Sequence, residues 1–309
     1  NWHTLPGLLK QTYIRGLKMI ATRKDALTGR MRFILLAGIV ALLCMTTLAA
    51  PAMAATITVP DDYSSVTDAI DAASPGDTVL IRSGTYTLSS ALIEVNKPDL
   101  TIIGEDRDSV IIESGDEGCF ILRSGAHRTR LENITFTSCM RVHVDTGSSS
   151  NVIANDVFLN PTYDEGGLGI YSEYNTIRDN VISGATGDYS GVSLSGNSNI
   201  FENNSIRDGS SAGLTIYGEN NTITKNSFTN NAYAGIEVYS DGFNPENNRI
   251  YLNTVTGNGA PATTTGTTPP TTLSWVSPET IPYTYNGTSY SAVMGNYWGS
   301  NYTGTDADG

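Results

Sequence analysis

The sequence is short of histidine, cysteine and basic residues. It has three His and three Cys in 309 residues, and beyond Ala55 only His127, His143, Cys119 and Cys139 remain. Two His and two separated Cys do not make the clustered His, Met and Cys site that a soft transition metal wants. Eighteen Lys and Arg stand against 31 Asp and Glu, a net charge of −13. Residues 1–54 hold seven of the basic and one of the acidic residues, so the rest carries −19. Such a surface repels nucleic acid and anionic lipid and attracts cations. A glycine-rich phosphate loop, a basic stripe and a Ser-His-Asp set are also missing.

What the sequence does have is repetition. Gly167–Ile182, Gly191–Ile206, Gly213–Phe228 and Gly235–Val255 share one pattern: Gly, apolar, any, apolar, a polar turn with Asn, then apolar, two polar, Asn, any, apolar. The apolar anchors Leu131, Ile153, Ile177, Phe201, Ile223 and Ile250 are spaced 22, 24, 24, 22 and 27 residues apart. Within a unit apolar residues alternate, which is a strand signal. A unit this short cannot bury its apolar face alone, but it can if each turn of chain stacks on the next. Asn180, Asn204, Asn226 and Asn253 then recur at one place in successive turns. The sequence predicts Asn there because Asn tolerates the left-handed conformation, and stacked Asn can form hydrogen-bonded ladders.

Residues 1–30 read as upstream sequence. Met31–Ala54 reads as a secretory signal peptide, with a basic head, an apolar run and the Ala52-Met53-Ala54 cleavage pattern. The same run is long enough to be a membrane anchor; with cleavage, no membrane contact is expected. Export permits a Cys119–Cys139 disulfide, though the two residues are offset along their strands and pairing stays open. It also permits glycans at the sequons of Asn133, Asn203, Asn220, Asn286 and Asn301. Asp61–Ala73 carries apolar residues at helical spacing and predicts one helix that plugs the open end of the stack. Residues 55–258 form the solenoid, 259–274 a Thr/Pro-rich insertion, and 275–309 an aromatic last rung and cover. Asp306 and Asp308 resemble the start of a calcium loop whose remainder is missing, and Ca²⁺ is the one cofactor suggested.

The residues that face outward give the candidate sites. Going up the stack, one face reads His143/Asp145, Gly169/Tyr171, Ser193/Ser195, Thr215/Tyr217 and Glu237/Tyr239. Tyr171, Tyr217 and Tyr239, with Glu237, His143 and Asp145, make a strip suited to sugar rings and hydroxyls. Asp164 and Asp188 each lie four residues before the strand, which predicts adjacent carboxylates able to share a proton, hold a cation or hydrolyse a glycoside. The competing reading of each is plain: Tyr suits any pleated surface, and loop aspartates are commonly solvated.

The opening Ile57–Tyr86, the N-x-I-x-x-N-x-I repeats and the ending Gly295–Gly309 resemble the pectin-lyase-like, right-handed parallel β-helix superfamily. More closely they are similar to NosD-type repeat proteins of archaeal cell surfaces. The resemblance implies an all-β, right-handed, single-stranded parallel β-helix of about eight to ten rungs with an N-terminal capping helix. Its members include lyases, glycosidases, epimerases, sugar-binding surface proteins and a copper-processing accessory protein, and fold does not choose among them. The acid/base set of the lyases and the D-P-H-D-like motif of the epimerases are missing, as are copper donors. The expectation is therefore a non-enzymatic, secreted or cell-surface protein, structural or adhesin-like, with a polysaccharide or envelope glycan as partner. The alternative is a polysaccharide lyase or glycoside hydrolase working through paired carboxylates.

Overall fold

The structure is a computed structural model and describes Arg15 and residues 53–88, 92–114, 119–139, 142–161 and 167–299. Residues 31–52 of the signal-peptide segment, Asp164, Asp306 and Asp308 lie outside the described residues.

Alternating apolar residues in short strands need partners on the neighbouring turn, and they find them. The chain winds into a parallel β-solenoid of about eight turns, each contributing one strand to each of three long sheets of nine, eight and eight strands. A representative turn runs Thr176–Arg178, Val181–Ser183 and Val192–Leu194. The expected anchors do form one interior column in the first sheet: Leu131, Ile153, Ile177, Phe201, Ile223 and Ile250 pair in register and are fully buried. Phe136, Phe158, Ile182, Ile206, Phe228 and Val255 make the matching column of the second sheet. In the third sheet both outer residues of each three-residue strand are buried, as in Leu168/Ile170, Val192/Leu194 and Leu214/Ile216. Burial on this scale, at roughly 25 cal/mol per Å² of apolar surface, is the main source of stability.

The corners carry buried polar columns. Asn151, Asn175, Asn199, Asn221 and Asn248 form one ladder, each backbone N–H donating to the Oδ1 of the next at 2.8–2.9 Å. Asn180, Asn204, Asn226, Asn253 and Asn296 form a second, with N–H to Oδ1 distances of 2.8–3.0 Å. The left-handed conformation expected of these Asn belongs instead to the residue before each: Asp179, Asn203, Lys225 and Leu252 have φ of 55–61°. The positive-φ residue turns the corner, and the Asn after it aims its amide inward, where a buried polar group needs partners.

The N-terminal helix α1 (Val66–Ala72) is shorter than the periodicity predicted. Ser65 caps its start by accepting from the Asp68 N–H, and Val66, Ala69 and Ile70 are buried against the solenoid end. At the other end the Lys97 ammonium donates to the carbonyls of Ile70, Asp71 and Ala73, a cation where the helix dipole favours one. The Thr-rich stretch read as an insertion puts Ala260–Thr265 into the third sheet, paired with Ala234–Tyr239. After it come an antiparallel hairpin, Ile281–Tyr285 with Thr288–Ala292, and a last contact in which Trp275 and Trp298 meet edge to face. Cys119 and Cys139 are disulfide-bonded, their Cα atoms 5.4 Å apart. Among the described residues no helix is long and apolar enough to cross a membrane.

Candidate functional site: an aromatic groove on the third sheet

The middle residue of each third-sheet strand points out, and its size varies from turn to turn. His143, Gly169, Ser193, Thr215 and Glu237 pair in register along this file. Two residues further on stand Asp145, Tyr171, Ser195, Tyr217 and Tyr239. The Ser193/Ser195 turn carries nothing large, while the turns around it carry Tyr. That mismatch opens a groove of about 670 Å³, lined by Tyr171, Tyr217, Tyr239, Phe243 and residues of the facing turns.

Each wall has its own cause. At one end a Cβ on Gly169 would lie 2.7 Å from the Tyr171 ring and 2.9 Å from that of His143. Glycine there lets the two rings meet over the strand, their centroids 5.2 Å apart and edge to face. At the other end Tyr217, Tyr239 and Phe243 cluster, with Tyr217 centroids 5.3 Å from Tyr239 and 4.8 Å from Phe243. Burial, with Glu237 and Tyr239 close by, pushes the Tyr217 phenol up to about 12, so it stays a proton donor. The side wall is the turn before the sheet, bearing Asp188, Tyr189 and Ser190, with Ser211 and Tyr233 on the next two turns. Ser210 and Ser211 hydroxyls hold that turn by donating to the Gly187 and Asp188 carbonyls at 2.6 and 3.0 Å.

Glu237 lies on the floor with both oxygens occupied. The Thr215 hydroxyl donates to Oε2 at 3.0 Å and the Thr265 hydroxyl to Oε1 at 2.7 Å. The groove therefore has two carboxylates, Asp188 and Glu237, and no Lys, Arg or His among its lining residues.

Of the residues picked from sequence, Tyr171, Tyr217, Tyr239, Glu237 and Asp188 line this groove. His143 does not line it; it is 5 % exposed and lies beneath Tyr171. Asp145 does not line it either, because Arg123 draws it aside in a 2.7 Å ion pair and binds Glu94 as well. The Asp164 half of the carboxylate pair lies outside the described residues. Sequence reasoning missed Tyr233 and Phe243. Tyr189, Ser211 and Tyr233 each sit two residues before a repeat glycine, an offset that was there to be read. Phe243 occupies no repeat position, and its one trace is the longer spacing from Ile223 to Ile250.

Several solved structures are distantly similar to the chain. They include the Agl-KA catalytic domain (18 % identity, 73 % of this chain and 46 % of that one, TM-score 0.47). The PL6 family alginate lyase AlyGC matches at 15 % identity over 68 % of this chain and 40 % of that one, TM-score 0.34. The Azotobacter vinelandii mannuronan C-5 epimerase AlgE6 A-module matches at 12 % identity over 67 % and 92 %, TM-score 0.30. The chain thus spans less than half the length of the first two. No curated protein matches it.

A family described as periplasmic copper-binding protein (NosD) matches residues 70–304. Among the described residues the His and Cys do not fit copper. Cys119 and Cys139 are joined to each other, His127 Nδ1 is 3.2 Å from the Ser149 hydroxyl, and His143 packs on Tyr171. Among the described residues no three His, Cys, Asp or Glu converge as a metal site would require. With three parallel sheets, Asn ladders at the corners and a match over most of its length, the chain belongs to the NosD family of β-solenoid proteins.

Proposed function

We propose that the protein is an exported, non-enzymatic β-solenoid that binds a glycan along the aromatic groove of its third sheet. The observation that carries this reading is the pairing of the Tyr217/Tyr239/Phe243 cluster with a hydroxyl-rich floor of Ser193, Ser195 and Thr215. Sugar rings present apolar faces that pack on aromatics and hydroxyls that need polar partners. The rigid sheet holds the site in place, so little ordering cost is charged against binding. The family's periplasmic description supports a location outside the cytoplasm. Retention on immobilised polysaccharides tests the reading. Tyr217→Ala and Tyr239→Ala are each expected to weaken it about tenfold or more, the usual loss at a central aromatic contact. Unchanged retention in both would refute it.

One observation favours catalysis instead: Asp188 and Glu237 share the groove. A lyase or hydrolase would release unsaturated or reducing ends from a retained polymer, and Asp188→Asn would abolish that release. Both Glu237 oxygens already accept from threonine hydroxyls, which favours a fixed hydrogen-bonding role over proton transfer.

A further inference from the structure

The groove's charge narrows its ligand. Resting on the glycan-binding reading, we infer that the site takes an uncharged polysaccharide and discriminates against uronate or sulfated chains. A site built for acidic sugars needs cationic side chains at the carboxylates of the ligand. Here the lining offers Asp188 and Glu237 and no cation. Arg123, which follows a strand of the same sheet, is taken up by Glu94 and Asp145. The surrounding chain adds to the effect, since residues 55–309 carry a net −19.

The same residues argue against a cationic ligand. Glu237 keeps its charge, but its two oxygens already accept from the Thr215 and Thr265 hydroxyls, so it is poorly placed to pair directly with a ligand cation. Asp188 is exposed at the rim, where a single charge attracts weakly and is screened by salt. What remains at the centre is aromatic face and hydroxyl: Tyr217, Tyr239, Phe243, Ser193 and Ser195. These groups match a neutral sugar, with ring faces on the aromatics and hydroxyls on the Ser side chains. The outward file crosses four successive strands, three strand spacings or about 14 Å, so the groove follows a chain running along the solenoid axis.

The experiment is affinity electrophoresis and pull-down of the whole protein on three polymer sets: neutral (cellulose, xylan, mannan), acidic (polygalacturonate, alginate) and cationic (chitosan). Each is run in low and high salt, with EDTA or with Ca²⁺. We expect retention on a neutral polymer that salt leaves unchanged, and binding to the acidic polymers weaker by about tenfold or more in low salt. Asp188→Asn combined with Glu237→Gln is expected to narrow that gap, most visibly at low salt. Tyr217→Phe keeps the ring and controls for misfolding in Tyr217→Ala, with a melting curve for each variant. Stronger retention on an acidic polymer, with or without Ca²⁺, or salt-sensitive retention on chitosan alone, overturns the inference. If Tyr217→Ala abolishes that retention, the groove still binds glycan and only the charge argument has failed. Retention on no polymer removes the glycan-binding reading and this inference with it.

Discussion

Asp156 stands at the start of the second Asn ladder, and it is the one carboxyl in that column. It is fully buried. Its N–H donates to Asn180 Oδ1 at 2.9 Å and its Oδ1 accepts from the Ile134 N–H at 2.8 Å. Its Oδ2 has no partner. In the turns above, the equivalent atom is an amide nitrogen: Asn180, Asn204 and Asn226 Nδ2 donate to the carbonyls of Ile153, Ile177 and Phe201. An oxygen in that place can donate only if it carries a proton, and burial does push the carboxyl well above its ordinary value of 3.8. The folded protein therefore holds this proton at pH values where the unfolded chain has released it. Stability from this group is complete below about pH 4 and declines as pH rises toward the folded pKa. Asp156→Asn is expected to raise stability at neutral pH by about 1–3 kcal/mol. It should also flatten the loss above pH 4, read as the difference between denaturant titrations of the two proteins at several pH values. In the sequence Asp156 looks like another turn aspartate, because its ladder partners are known only once the turns are stacked.

One element scale up, the segment that brings Phe243 to the groove is tied to the Thr-rich crossing by the Glu246 side chain. The Glu246 carboxylate accepts from the N–H groups of Thr271 and Thr272, at 2.8–3.0 Å, and from both their hydroxyls. These donors lower its pKa to about 2. The ordering they provide is present above the unfolded value of 4.5 and is lost as pH falls from there through about 2. Glu246→Gln is expected to speed amide exchange at Thr271 and Thr272 several-fold at neutral pH, while the amides of Ile223 and Ile250 in the core column stay protected. The contrast shows what a sequence reveals at this scale. Ile223 and Ile250 repeat because each must fill the same column, so their spacing discloses the strand. Glu246, Thr271 and Thr272 meet across an irregular crossing that happens once, and nothing periodic announces it. The Thr-rich segment misleads for a related reason. Composition alone suggests a loop, yet Ala260–Thr265 finds an open sheet edge in Ala234–Tyr239, and pairing outweighs propensity.

For the whole molecule, the fold was legible because it is one interaction repeated. Leu131, Ile153, Ile177, Phe201, Ile223 and Ile250 needed only to be counted. The groove was half legible: Tyr171, Tyr217 and Tyr239 follow the repeat, whereas the emptiness between them comes from Ser193 and Ser195 being small, and its end from Phe243 standing outside the pattern. The Asn ladders add a property that belongs to the stack as a body. Every N–H of Asn151, Asn175 and Asn199 points to the Oδ1 of the following turn, never the preceding one. Neighbouring turns here repeat at a separation of 24 residues in both ladders and in the core. Removing Thr176–Asn199 would join Asn175 to Ile200 and leave each column continuous. That shortened protein is expected to unfold cooperatively, whereas a cut that is not a whole turn should give an unfolded chain by circular dichroism. The molecule is thus polar and countable, like a ratchet of identical teeth: its length can change by whole steps, and each step keeps the orientation of the one below.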